Sequence, residues 1–471
     1  MLYTTRGYVI IIKEIRFLKK KCKYKHKRAT CVLLMEVDIM LIGFTIKNFK
    51  SFYDENIFTM RSSSDTKFRE INTVETKYDR LIKSAFIFGA NGSGKSNFIK
   101  AIAYMKGTVL AELNVQGKMI SNVNNFLFSE TADEIPTALE VEFITEGVVY
   151  TYGFEILNGE VNREYLYKKT KRKTPVFDRK SPAANDIYFF GEDMDNVREF
   201  AKNTSRDTLF LYWANDGNNE MAVKVYKWFE KIQIFDAENA RNLFNDTIGY
   251  LEESKDGKDN VLDLLQRADV SIVDFDIEIS EKHVHSEVAN GVLENGFAEV
   301  LLPDGGYYKE ASLMTKHHIY NKNWEEVGTV SRHILEEASG TRKIIEAAGP
   351  IIKALENGSI LFVDEMDSRL HPMLVKNLVM MFNSSSGNPK NAQLICNTHD
   401  ALLLDEDIRR DQIYFIEKDE YGVSKLYSLT DFRAVRKESK LLKQYLFGVF
   451  GATPKLQDYF VAKKFKEGIY E

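Results

Sequence analysis

Gly89-Ala90-Asn91-Gly92-Ser93-Gly94-Lys95-Ser96 satisfies every fixed position of GxxxxGK[ST], and the apolar run Ala85 to Phe88 leads straight into it. This octapeptide constrains the fold more than any other feature, because its backbone geometry needs a buried strand before it and a helix after it. Only glycine lets the main chain close tightly around phosphate oxygens and aim its N–H groups, with the positive end of the next helix, at them. The run Asn97-Phe98-Ile99-Lys100-Ala101-Ile102 reads as that helix. The motif predicts ATP held by the loop and Asn97, with Lys95 reaching the β- and γ-phosphates and Ser96 offering its hydroxyl to Mg²⁺.

A second apolar run, Ile360-Leu361-Phe362-Val363, reads as a parallel strand buried on both faces, and it ends in Asp364-Glu365. A carboxylate there can hold the water shell of Mg²⁺, which falls to Asp364; Glu365 is placed to orient or deprotonate the attacking water. A third run, Gln393-Leu394-Ile395-Cys396, leads into Asn397-Thr398-His399-Asp400 and brings His399 to the same sheet edge as a γ-phosphate sensor. Upstream, Glu337-Ala338-Ser339-Gly340-Thr341-Arg342 precedes Ile344, Ile345, Ala348, Ile351, Ile352 and Leu355 at helical spacing. Ser339 reads as the N-cap of that helix, whose start is either an ordinary cap or a second anion-binding end.

In this order the four segments resemble the ABC-type ATPase heads of the SMC and RecF class. The resemblance implies an α/β P-loop NTPase with an ABC-type head. It also implies that Ser339 and Gly340 of one subunit close on ATP held by another, giving a homodimer or higher homo-oligomer. Asp364-Glu365-Met366-Asp367-Ser368-Arg369-Leu370-His371-Pro372 departs from the class in placing His371 where an aspartate is usual, and no Q-loop glutamine is evident. The acids followed by Leu-His-Pro are similar to the branch containing OLD ATPases and the RloA or AbiL type abortive-infection ATPases. Met40 to Phe52 resembles the first strand and turn of these proteins. Arg409 to Asp419, Leu429 to Arg433 and Leu446 to Pro454 resemble their closing segments.

Lys and Arg number 64 against 69 Asp and Glu, a net charge of −5, so no global basic field argues for nucleic acid, although local patches could bind it. Cys22, Cys31 and Cys396 suit neither a disulfide framework nor a zinc site, which points to the cytoplasm. No apolar run is long enough to span a membrane, since Glu36 and Asp38 interrupt Val32 to Phe44. The basic stretch Lys13 to Arg28 reads as a nucleic-acid or membrane arm, an amphipathic helix, or sequence upstream of the true start, Met40.

The expected organisation is a basic extension over 1–39, the first half of the ATPase core over 40–106, a β-rich lobe over 107–190, a mixed helical/β insertion over 191–330, and the second half of the core over 331–471. In the lobe, Gly147 and Asn158-Gly159 mark hairpins. From Glu192 to Ala268 the pattern reads as helical, including Trp228, Phe229, Ile232 and Ile234; from Ile272 to Tyr308 it reads as short strands. His283-Val284-His285 is explained by alternation along a solvated strand, without a metal. No heptads occur, so the long coiled-coil arm of SMC proteins is not expected. The resemblance implies a slowly hydrolysing ATP switch in phage defence that controls a separate nuclease or toxin; a RecF-like ATPase clamping nucleic acid is the alternative.

Overall fold

Successive residues of a strand face opposite sides of its sheet, so an apolar run without polar interruption needs cover on both faces. In the computed structural model, which describes residues 39–110, 124–180, 188–202, 204–236, 240–268, 270–283, 298–301, 307–368, 370–432 and 440–454, each run has that cover. The runs form one six-stranded sheet in the order Ile232–Asp236, Ile360–Asp364, Gln393–Asn397, Ser84–Phe88, Ile413–Lys418, Ser424–Ser428. The first five strands are parallel and the last is antiparallel. Ala85, Ile87, Phe362 and Ile395 pack with Phe98, Ile99 and Ile102 of the helix Lys95–Val109. Phe86, Phe88, Leu361, Val363 and Leu394 face the other way, onto Ala347 and Ile351 of Ser339–Asn357 and Val375 and Phe382 of Pro372–Asn383.

The edge strand Ile232–Asp236 overturns the helical reading of that stretch. The helix Glu220–Glu230 ends with Trp228 and Phe229 buried in it, and Ile232 and Ile234 belong to a strand that pairs in register with Ile360 and Phe362. Helical spacing had merged a helix end and a strand start separated by a single residue, Lys231.

A seven-stranded antiparallel sheet lies beside this core, in the order Tyr188–Phe190, Lys173–Lys180, Glu160–Lys169, Val148–Leu157, Thr137–Thr145, Ile39–Lys47, Asn56–Thr59. Its two-residue turns at Glu146-Gly147 and Asn158-Gly159 have positive φ at both positions, the geometry whose twist suits a hairpin. A register shift between Leu41 and Gly43 leaves Ile42 without a partner on Thr137–Thr145, and pairing with Asn56–Thr59 begins only at Gly43, so on that side Gln393 meets the backbone of Leu41. The amide oxygen accepts from Leu41 N at 2.6 Å, and the amide nitrogen donates to Leu41 O at 3.1 Å, joining this sheet to the core strand Gln393–Asn397.

A third sheet pairs Tyr307–Tyr320 with Asp274–His283, Ala298–Leu301 and Glu326–His333. Tyr307–Tyr320 is one strand of 14 residues that starts where the stretch read as short strands, Ile272 to Tyr308, ends. His285 and the basic stretch Lys13 to Arg28 lie outside the described residues. No helix among the described residues is long and apolar enough to cross a membrane.

Pro350 sits inside the helix Ser339–Asn357 and, having no N–H, leaves the carbonyl of Glu346 without its helical donor. Thr247 Oγ1 supplies the bond, donating to Glu346 O at 2.7 Å, and accepts from Gly349 N at 2.9 Å. Gly349 permits the approach, since a Cβ there would stand 2.5 Å from Thr247 Cα. Thr247→Val keeps the shape and removes both bonds, so unfolding free energy should fall by about 1–3 kcal/mol in urea titrations, the cost of stranding buried polar groups.

Candidate nucleotide site

The phosphate loop turns through Gly92 at φ +73° and Gly94 at φ +113°, conformations that side chains with a Cβ rarely adopt. Space imposes the same requirement: a Cβ on Gly94 would lie 2.3 Å from Ser424 Oγ, and one on Gly89 would lie 2.4 Å from Ile416 O. The Ser424 hydroxyl donates to Ser93 O at 2.5 Å and lies 2.8 Å from Ser51 Oγ, and Asn97 Nδ2 donates to the same Ser51 oxygen at 2.8 Å. Two segments remote in sequence thus brace the loop from beneath. Ser93 Oγ is buried without a hydrogen-bond partner, on the Gly89 side of the loop, where a Cβ on Gly89 would stand 2.7 Å from it.

Lys95 Nζ donates to Gly89 O at 2.9 Å and Ala90 O at 3.1 Å. Burial pushes its pKa down to about 8, against the pull of Asp367, Glu365 and Asp364. Ser96 Oγ donates to Asp364 Oδ1 at 3.0 Å. Asn397 Nδ2 donates to that same carboxylate oxygen, and Asn397 Oδ1 accepts from Glu365 N at 2.6 Å. Glu365 has φ +55°, a left-handed backbone costing about 1–3 kcal/mol, and the Asn397 bond holds the turn. His399 N donates to Asp367 Oδ1 at 3.0 Å; burial, then the charge of Lys95, lowers the imidazole pKa and favours a neutral ring.

The resulting cleft encloses about 660 Å³ and is lined by Asn91, Gly92, Gly94, Lys95, Ser96, Asn97, Glu365, His399 and Lys418. That volume lies within the range of small-ligand sites. Ser96 and Asp364 offer hard oxygen atoms, the donor type Mg²⁺ takes while keeping most of its shell as water and phosphate. Among the described residues no group of three His, Cys, Asp or Glu side chains could hold a metal by itself. Ser339 and Gly340 do not line the cleft.

The expected N-cap at Ser339 is corrected. Ala338 occupies the cap position, its carbonyl accepting from Arg342 N at 3.0 Å, and Ser339 is the first helical residue. Ser339 is exposed at a helix end whose first-turn N–H groups have no intrahelical partners. His371 has a local role: it caps Pro372–Asn383, its Nδ1 accepting from Met373 N at 3.2 Å.

Sequence reading missed Asn397, Asp367 and Lys418 as site residues. Asn397 carried a signal, an amide ending an otherwise apolar strand, where a buried polar group needs partners. Lys418 carried none, since only the sheet order brings the end of Ile413–Lys418 beside the loop.

Lys95 gives the site a pH dependence. Between about pH 8 and its ordinary value of 10.5, the folded protein has released a proton that the unfolded chain retains, so stability without nucleotide rises with pH across that window. Phosphate binding favours the charged amine, so ATP affinity should fall up to about tenfold per unit above pH 8, with proton uptake on binding. Calorimetry in buffers of different ionisation enthalpy checks this; affinity flat from pH 7 to about 9.5 would contradict it.

A parallel sheet carrying a glycine-bounded phosphate loop, with paired acids on a neighbouring strand end, defines a P-loop ATPase head. The chain belongs to the family described as "AAA domain, putative AbiEii toxin, Type IV TA system", which matches residues 84–405. None of the curated proteins matches it. Among solved structures it is similar to the SMC head domain from Thermotoga maritima, at 14% identity over 82% of this chain and 98% of that one, with a TM-score of 0.37. It is also similar to an SMC head bound to the C-winged helix domain of ScpA, at 14% identity over 82% of this chain and 97% of that one, with a TM-score of 0.39.

Proposed function

We propose that the chain binds and slowly hydrolyses ATP, and that ATP joins two copies into an assembly governing a separate effector in defence against phage. The observation that carries this reading is the cluster in which Lys95, Ser96, Asp364, Asn397 and Glu365 converge on one cleft through bonds of 3.1 Å or less. Family membership supports the defence role.

In this reading the loop N–H groups and Lys95 bind the triphosphate, and Asn97 and Ser51 fix the helix start beneath it. Ser96 and Asp364 would hold Mg²⁺, which when bound neutralises charge on the β- and γ-phosphates. Asn397 orients both acids at once, one oxygen of Asp364 through its N–H₂ and the Glu365 backbone through its carbonyl. Glu365 takes the proton of the attacking water, and neutral His399 offers a hydrogen bond to the γ-phosphate. Ser339 and Gly340 of a second copy close the site, which accords with their absence from the cleft of their own chain.

The test is complementation. Lys95→Ala removes the loop cation and Ser339→Arg blocks the helix end, so each variant alone should be inactive. In a mixed dimer one site combines an intact loop with an intact Ser339, so an equal mixture should regain roughly a quarter of the wild-type rate, half of the dimers each with one working site. Wild-type turnover by Ser339→Arg alone, or no recovery on mixing, would refute the shared site.

A further inference from the structure

The turn between Glu160–Lys169 and Lys173–Lys180 reads Lys168-Lys169-Thr170-Lys171-Arg172-Lys173, five cations in six residues of a chain whose net charge is −5. Lys168 is neutralised by Asp193 at 2.6 Å. Lys169, Lys171, Arg172 and Lys173 are exposed, and none forms an ion pair among the described residues. Lys169 and Lys173 stand directly opposite each other in the ladder, a like-charge pairing that weakens a hairpin. The Lys173 ammonium lies 4.9 Å from the centroid of the Tyr167 ring, which steadies it. A turn that concentrates unpaired cations against its own stability is matched to an external polyanion.

We propose that this turn contacts the phosphate backbone of nucleic acid, independently of base sequence. Lysines on an edge strand can merely discourage edge-to-edge pairing, but one or two on the strand suffice for that, and here the charge continues through the turn itself. An anionic membrane is a poorer match: surface helices and loops that bind lipid add apolar side chains beside their cations, and the hairpin over residues 160–180 exposes no large hydrophobic side chain.

The contact is separate from the nucleotide cleft. Lys47, at the end of the strand that leads to Ser51, aligns through Ala138 and Glu155 with Arg163. Lys169 lies six residues, roughly 20 Å, further along its strand in the opposite direction. The inference therefore stands whether or not ATP is hydrolysed.

The test uses the full chain and a labelled random-sequence DNA duplex, with single-stranded RNA and anionic phospholipid vesicles as parallel probes. Binding is followed from about 50 to 200 mM salt. The combined replacement Lys169→Gln, Lys171→Gln, Arg172→Gln and Lys173→Gln should reduce the slope of log K against log salt by about 3–4 on duplex DNA, each lost phosphate contact removing about 0.9. Turnover of ATP without nucleic acid should be unchanged. The charge-preserving set Lys169→Arg, Lys171→Arg and Lys173→Arg should retain binding, which separates lost charge from lost folding. The proposal is overturned if the unaltered protein binds neither DNA nor RNA, if it binds vesicles alone, or if the glutamine variant keeps the same slope. It is also overturned if that variant aggregates while its soluble fraction binds as before, because the cations would then be guarding the sheet edge.

Discussion

Replacing Glu365 by Gln should slow ATP turnover by about two to four orders of magnitude while leaving ATP binding intact, the loss expected when a positioned general base is removed. The side chain lines the cleft, and its backbone is held by Asn397 in a conformation that residues other than glycine seldom take. The amide is nearly isosteric, so this hold is kept and only proton acceptance is lost. Lys95→Ala should behave differently, abolishing binding itself, because the alanine cannot reach phosphate. Single-turnover kinetics with the glutamine variant, beside nucleotide titration of both variants, separate the two effects. A glutamine variant hydrolysing within threefold of the parent rate would remove Glu365 from the role of base and shift it to Asp367 or another acid.

The second large effect is structural. Arg409 is fully buried and donates to Asp411 through two bonds, at 2.9 and 2.6 Å. It also donates to the carbonyls of Asp65 and Lys67 at 2.8 and 2.6 Å, while Asp411 accepts from the Ser63 backbone at 2.6 Å and its hydroxyl at 2.8 Å. This pair ties the 63–67 segment to the start of the strand Ile413–Lys418. Arg409→Met leaves the Asp411 carboxylate buried without its counter-charge, which should cost about 3–5 kcal/mol. Denaturant titration should show the midpoint falling with little change in slope. A loss below about 1 kcal/mol would mean that water reaches Asp411 and the pair is dispensable.

These two sites differ in how much of them could be read from sequence. The phosphate loop and Asp364-Glu365 were legible because their chemistry is local: glycines at fixed spacing and acids at the end of an apolar strand together suit little besides a bound triphosphate and its metal. Both hairpins at Gly147 and Asn158-Gly159 were legible for the same reason, since positive φ is encoded by the residues that adopt it. Arg409 stood out only as part of a family-like segment, because its partners in the 63–67 segment lie more than three hundred residues away and nothing near it announces burial. Ile232–Asp236 was lost because its residues are apolar at spacings that serve a helix as well as a strand, and only pairing with Ile360–Asp364 decides between them. Ser339 was placed one position early on the helix because serine is a frequent N-cap, yet here the preceding alanine takes the extended cap conformation. The basic turn at 168–173 was submerged in a net charge of −5, and its meaning depended on knowing that Lys169, Lys171, Arg172 and Lys173 form no ion pair among the described residues.

The central claim is that ATP holds two copies together, and light scattering on the Glu365→Gln protein tests it most directly. With Mg-ATP the mass should rise from that of one 54.3 kDa chain to at least twice that value, and return when nucleotide is removed. The same mass with and without Mg-ATP, in a protein shown to have nucleotide bound, would contradict the account.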